Sequence, residues 1–110
     1  MDLHTVEGDD RVTFLVSGEL TGIESIMLTN RIEAAAFTTC STVVVSVVGV
    51  TFIESTALGG LIYCRKYLQK RGKILQLADT FEHARDLFRG CPLEKVLPLV
   101  DPPAVGTSSA

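Results

Sequence analysis

Thr51-Phe52-Ile53-Glu54-Ser55-Thr56-Ala57-Leu58-Gly59-Gly60-Leu61 is the stretch on which the reading of this chain turns. Just before it, residues 42–48 form an almost unbroken apolar run, Val43-Val44-Val45 and Val47-Val48 around a single Ser46. Such a run fits a strand covered on both faces, as in a parallel α/β sheet. From Ser55 or Thr56 to Lys70 the period changes. Ala57, Leu61, Cys64 and Leu68 recur at helical spacing, with Leu58 and Ile62 beside them. Arg65, Lys66, Lys70 and Arg71 place positive charge at the end where the helix dipole favours it, and Gly72 is a natural stop. Residues 73–78 read as a second strand, which makes a βαβ unit with a right-handed crossover. The quoted stretch is therefore a strand-to-helix junction that carries two neighbouring hydroxyls, Ser55 and Thr56.

Upstream, residues 3–6 and 11–17 alternate on either side of the polar turn Glu7-Gly8-Asp9-Asp10, which predicts an antiparallel hairpin. Val12, Phe14 and Val16 share one of its faces; Arg11, Thr13, Leu15 and Ser17 share the other. Gly18-Glu19-Leu20-Thr21-Gly22 reads as a loop, because glycines stand at both ends. Residues 23–37 then form a helix of good formers whose apolar positions spread too widely to mark a buried face. Downstream, Asp79-Thr80 offers a cap for a third helix over 81–89, ended by Gly90. Cys91-Pro92 is a turn. Residues 93–100 suggest a helical turn and a short edge segment, and 101–110 have the composition of a mobile tail.

The 110 residues make one domain by the usual size prior. They are 46% hydrophobic without a single Trp, so the core must be aliphatic. A net charge of −3 with no Lys/Arg block argues against a nucleic-acid surface or a polybasic membrane patch. The start of the chain has neither a basic segment nor a long apolar run, so a soluble cytoplasmic protein is expected. Cys40, Cys64 and Cys91 are odd in number and lack C-x-x-C spacing, so they read as free thiols rather than a disulfide framework or a zinc set.

Three readings of the junction hydroxyl stand side by side. Ser55 is a residue type preferred at helix N-caps. A phosphate on it would meet the unpaired N–H groups of the following turn, while any partner would face a bulky dianion. A nucleophile would need a base and an oxyanion site, and no motif ties His4 or His83 to Ser55; the G-x-S-x-G pattern is absent. No phosphate-binding glycine loop is present either. Gly59-Gly60 inside a helix is costly, which points to close approach of another backbone, internal or a partner's. Glu19 is a loop carboxylate that could lie beside the junction.

In this order and context, Gly18-Glu19-Leu20 and Phe52-Ile53-Glu54-Ser55-Thr56-Ala57-Leu58-Gly59 resemble the STAS domain, and more narrowly the bacterial anti-sigma-factor antagonists. The resemblance covers about residues 3–100. It implies an α/β fold, a single STAS domain over 1–100 with a mixed four- to five-stranded sheet, an N-terminal hairpin and then a βαβ unit. It implies a binding protein without cofactor or catalytic residues. The unphosphorylated antagonist would bind an anti-sigma serine kinase and release the sigma factor. Phosphorylation of Ser55 would switch it off, and a serine phosphatase would reverse this. Gly18, Glu19, Leu20, Thr21, Glu54, Ser55, Thr56, Ala57 and Gly59 would form the partner-binding surface. The alternative is a non-phosphorylated STAS adaptor in a signalling or lipid-transport complex. The sequence departs from the family's usual pattern at Glu54, Ala57 and Thr21, where Asp, Gly and Asp are common.

Overall fold

The computed structural model describes residues 1–89 and 99–100. The turn expected at Cys91-Pro92, the helical turn expected after it and the tail 101–110 lie outside the described residues. The element order is β1 (Asp2–Glu7), β2 (Arg11–Leu20), α1 (Gly22–Ala35), β3 (Thr42–Ile53), α2 (Ser55–Gln69), β4 (Ile74–Ala78), α3 (Phe81–Leu87) and β5 (Leu99–Val100). The strands form one five-stranded mixed sheet in the order β1-β2-β3-β4-β5. β1 pairs antiparallel with β2, and β2, β3, β4 and β5 run parallel to one another.

The registers explain the valine run. Val12, Val43 and Leu75 stand in one row across the sheet, and Phe14, Val45 and Leu77 in another. All six are buried in a single core. Side chains alternate along a strand, so Thr13, Val44 and Gln76 fall on the opposite face. Thr13, Val44 and Ser46 are also buried, so β3 lacks the polar alternation of a strand with one wet side. Each fully buried Val or Leu here is worth about 1.5–3 kcal/mol relative to exposure.

The helices complete that core. α2 buries Ala57, Leu61, Cys64 and Leu68, the stripe its spacing predicts. α3 is capped by Thr80, whose hydroxyl accepts from His83 N–H at 3.3 Å, and Ala84 and Phe88 anchor its end of the core. The face of α1, illegible in sequence, consists of Ser25, Leu28, Ile32 and Ala35. Ile23, Ile26 and Met27 are exposed instead.

Side chains tie the hairpin turn and the start of β4 to the segment around the start of β3. Asp10 accepts from Ser41 N–H at 3.0 Å and from the Ser41 hydroxyl, and Lys73 Nζ donates to the carbonyls of Thr38, at 2.8 Å, and Cys40. The other end is built differently. β4 stops pairing at Ser46↔Ala78, while β3 continues to Ile53 beside β2 alone. The expected strand end at residue 48 is thus corrected, and so is the expected loop: Gly18, Glu19 and Leu20 belong to β2, opposite Val50, Phe52 and Ile53. Two register shifts, between Leu15 and Ser17 and between Gly18 and Glu19, accommodate an extra β3 residue each. Buried β3 residues accordingly jump from Val47 to Val50. Bulges of this kind bend a strand and re-aim the residues beyond them.

Candidate functional site

β2 and β3 run side by side and each delivers a helix at the same end of the sheet. Thr21 is the N-cap of α1; its hydroxyl accepts from Glu24 N–H at 3.3 Å. Gly18, three residues before, has φ +86°, a left-handed conformation that glycine adopts without penalty. Leu20 is fully buried, and its carbonyl accepts from Glu54 N–H at 3.0 Å. Leu20 therefore joins the two junctions from inside and presents no side chain to a partner.

Glu54, not Ser55, is the N-cap of α2, and among the described residues no side-chain hydrogen bond caps that helix. The Glu54 carboxylate instead accepts from Gly22 N–H, in the first turn of α1. Glu54 thus starts one helix with its backbone and caps the other with its charge, where the α1 dipole favours an anion. This contact also accounts for bare Gly22. A Cβ there would meet Thr56 Oγ1 at 2.5 Å and Glu54 Oε1 at 3.4 Å.

Ser55 is the first helical residue of α2 and is exposed. Among the described residues its hydroxyl has no hydrogen-bond partner, and no side-chain capping hydrogen bond is made at this helix start. The first-turn N–H groups of an α-helix have no intrahelical acceptor, so they form a ready anion site. Of the three sequence readings, the side-chain cap is the one this geometry removes. His83 is not poised as a base, since both of its ring nitrogens are engaged elsewhere.

Around Ser55 lie exposed Glu19, Glu54, Thr56, Phe52 and Gly59. A Cβ on Gly59 would meet nothing within 4 Å, whereas one on Gly60 would meet Thr29 Oγ1 at 3.3 Å. The close approach expected for the glycine pair is therefore internal at Gly60, against a side chain of α1, and Gly59 is open surface. Ala57 is 1% exposed, so its methyl packs into the core and not toward a partner. Ile23, 83% accessible, and Ile26 are exposed on α1; in sequence both count simply as apolar positions of that helix.

The remaining features carry less. A cavity of about 400 Å³ lies between the hairpin and the end of α1, lined by Glu7, Val12, Phe14, Arg31 and Cys40 among others. Cys40 and Cys64 are free and buried, and Cys91 lies outside the described residues. Burial pushes the Cys64 thiol up to about 11. Among the described residues, no cluster of His, Cys, Asp and Glu is suited to a metal, and no helix is long and apolar enough to cross a membrane.

The family profile of the STAS domain matches residues 2–103. The chain belongs to the STAS domain family. An anti-sigma factor antagonist from Mycobacterium paratuberculosis has the same fold, with a TM-score of 0.76 at 20% identity over 98% of this chain and 91% of that one. SpoIIAA, the anti-sigma factor antagonist in its unphosphorylated form, gives a TM-score of 0.72 at 14% identity over 98% and 96% of the two chains. The STAS fold also matches part of a larger protein, Mglu, with a TM-score of 0.61 at 18% identity over 67% of this chain and 18% of that one. No curated protein matches this STAS domain.

Proposed function

We propose that this STAS domain is an anti-sigma-factor antagonist, a cytoplasmic binding protein rather than an enzyme. Unphosphorylated, it docks on an anti-sigma serine kinase and frees the sigma factor. The kinase then phosphorylates Ser55 and ends the complex, and a serine phosphatase restores it. The observation that carries this reading is the exposed Ser55 hydroxyl on the uncapped N-terminus of α2. A phosphate there adds a charge of about −1.5 to −2 at neutral pH and meets the open N–H groups of the first turn. The fold can accept it. A partner lying over Ser55, Gly59 and Phe52 would have to desolvate it beside Glu19 and Glu54, which repel it. Structures of SpoIIAA in both unphosphorylated and phosphorylated forms share this fold, which supports a scaffold that tolerates such a change.

The surface then divides by role. Ser55, Glu19, Thr56 and Gly59 meet the partner; Gly18, Leu20, Thr21 and Ala57 shape the two helix starts beneath it. The test is a pull-down from the native cell with wild type, Ser55→Ala and Ser55→Glu as parallel baits. Wild type and Ser55→Ala should capture a serine kinase, and Ser55→Glu should lose it while keeping the wild-type circular dichroism spectrum. Equal capture by all three would leave a constitutive adaptor and defeat the switch.

A further inference from the structure

We propose that Asp79 and His83 form a proton-dependent clasp that fastens α3 to β3 at Val50. His83 Nδ1 lies 2.6 Å from Asp79 Oδ2, and Nε2 lies 2.8 Å from the Val50 carbonyl oxygen. A backbone carbonyl can only accept, so Nε2 must carry a hydrogen. An ionised carboxylate can also only accept, and Asp79 already accepts from Thr80 N–H at 2.8 Å through its other oxygen. The short Nδ1···Oδ2 contact therefore needs a second hydrogen, on the ring or on the carboxyl. A neutral imidazole beside an ionised carboxylate has one hydrogen too few for the two bonds.

The place makes the count matter. The Asp79 side chain is fully buried and that of His83 is 35% exposed, so solvent can take the proton but cannot hydrate the carboxylate it leaves behind. When the proton goes to solvent, one bond must break: either Asp79 faces a bare ring nitrogen, or the Val50 carbonyl does. The other charges on and just after α3 lie on exposed surface. Arg85 and Arg89 pair with Asp86 on exposed surface, and Glu82 is exposed. Among the described residues, the Val50 carbonyl of β3 meets the ring, and the Val100 carbonyl of β5 meets the Asp79 backbone N–H at 3.1 Å. Thus the clasp is set by the one shared proton. Val50 pairs with Gly18 in the bulged end of the sheet, so the clasp holds the strand that leads to Ser55. It needs no phosphate on Ser55 and stands whether or not that residue is modified.

Asp79→Asn separates the clasp from mere packing. Its amide can donate to Nδ1 while its oxygen still accepts from Thr80, so a neutral His83 satisfies both bonds. The experiment measures hydrogen-exchange protection factors of the Ala84 and Phe88 amides in the full chain at about pH 5.5 and about pH 9, with protons abundant and scarce. Wild type should lose about tenfold in protection at the higher pH, the order expected for one charge-assisted bond, and Asp79→Asn should stay flat. Equal protection of wild type at both values, or an equal loss in Asp79→Asn, overturns the proposal. Should Asp79→Asn not fold, nitrogen-15 spectra of the wild-type ring at about pH 5.5 decide: a neutral ring beside an ionised Asp79 carboxylate contradicts the clasp, and any state holding the second hydrogen supports it.

Discussion

The two ends of β3 are made of similar residues and do opposite work. At the start, Thr42 to Ser46 pairs with β2 on one side and β4 on the other in unbroken register, and Val43 to Ser46 are buried on both faces. At the finish, two bulges interrupt the pairing with β2, β4 has ended, and Val48 and Phe52 are exposed. The first end is a frame that resists change. The second is a display, where a strand is bent until it presents a helix start and a serine. The phosphorylation, docking and clasp proposed above all fall on the display end, where fewer side chains are buried.

That contrast can be broken first at the frame. Leu77→Ala empties a fully buried site opposite Val45, and should cost about 2–5 kcal/mol in urea unfolding. Gly49→Ala tests the bulge itself. A Cβ there would lie 2.8 Å from Ser17 Cβ, so the strands must part, at about 1–3 kcal/mol. Cys64 offers a pH test of the packing between α1 and α2. Its folded value of about 11 lies above the 9.0 of an exposed thiol. The unfolded chain therefore ionises first, and stability should fall as pH rises from about 9 to about 11. Cys64→Ser should flatten that slope in a pH series of thermal melts.

The smallest effects belong to the display end. Phe52→Ala and Ser55→Ala should each change stability by no more than about 0.5 kcal/mol, since neither side chain is buried. A loss of several kcal/mol at either position would erase the distinction between the two ends.

Sequence makes the frame legible and the display only in part. The valine run, the hairpin and the Ala57–Leu68 stripe follow from local periodicity, and local periodicity is what strands and amphipathic helices obey. Thr80 as a cap is legible for the same reason. Bulges are not, because Glu19 pairs with Phe52 through a register set between distant segments. Hence Gly18-Glu19-Leu20 reads as a loop by its glycine, yet forms the end of β2. Glu54 escapes local rules similarly: they assign the cap to Ser55, while the carboxylate reaches the other helix. α1 hides its buried face because Ile23, Ile26 and Met27 stay on the surface, a choice no helical period reveals. The departures from the family pattern at Glu54 and Ala57 have their physical reasons in the folded chain: the glutamate reaches the Gly22 N–H, and the methyl fills core space.

The most direct measurement is a proton–nitrogen correlation spectrum of the chain carrying phosphoserine at position 55, compared with the unmodified chain. The amides of Ser55, Thr56 and Ala57 should shift strongly as they take up the phosphate, with smaller changes at Gly22 and none along Thr42 to Ser46. Unmoved amides in the first turn of α2, or shifts spreading through the β2-β3-β4 rows, would contradict a display end built to carry the charge on an unchanged frame.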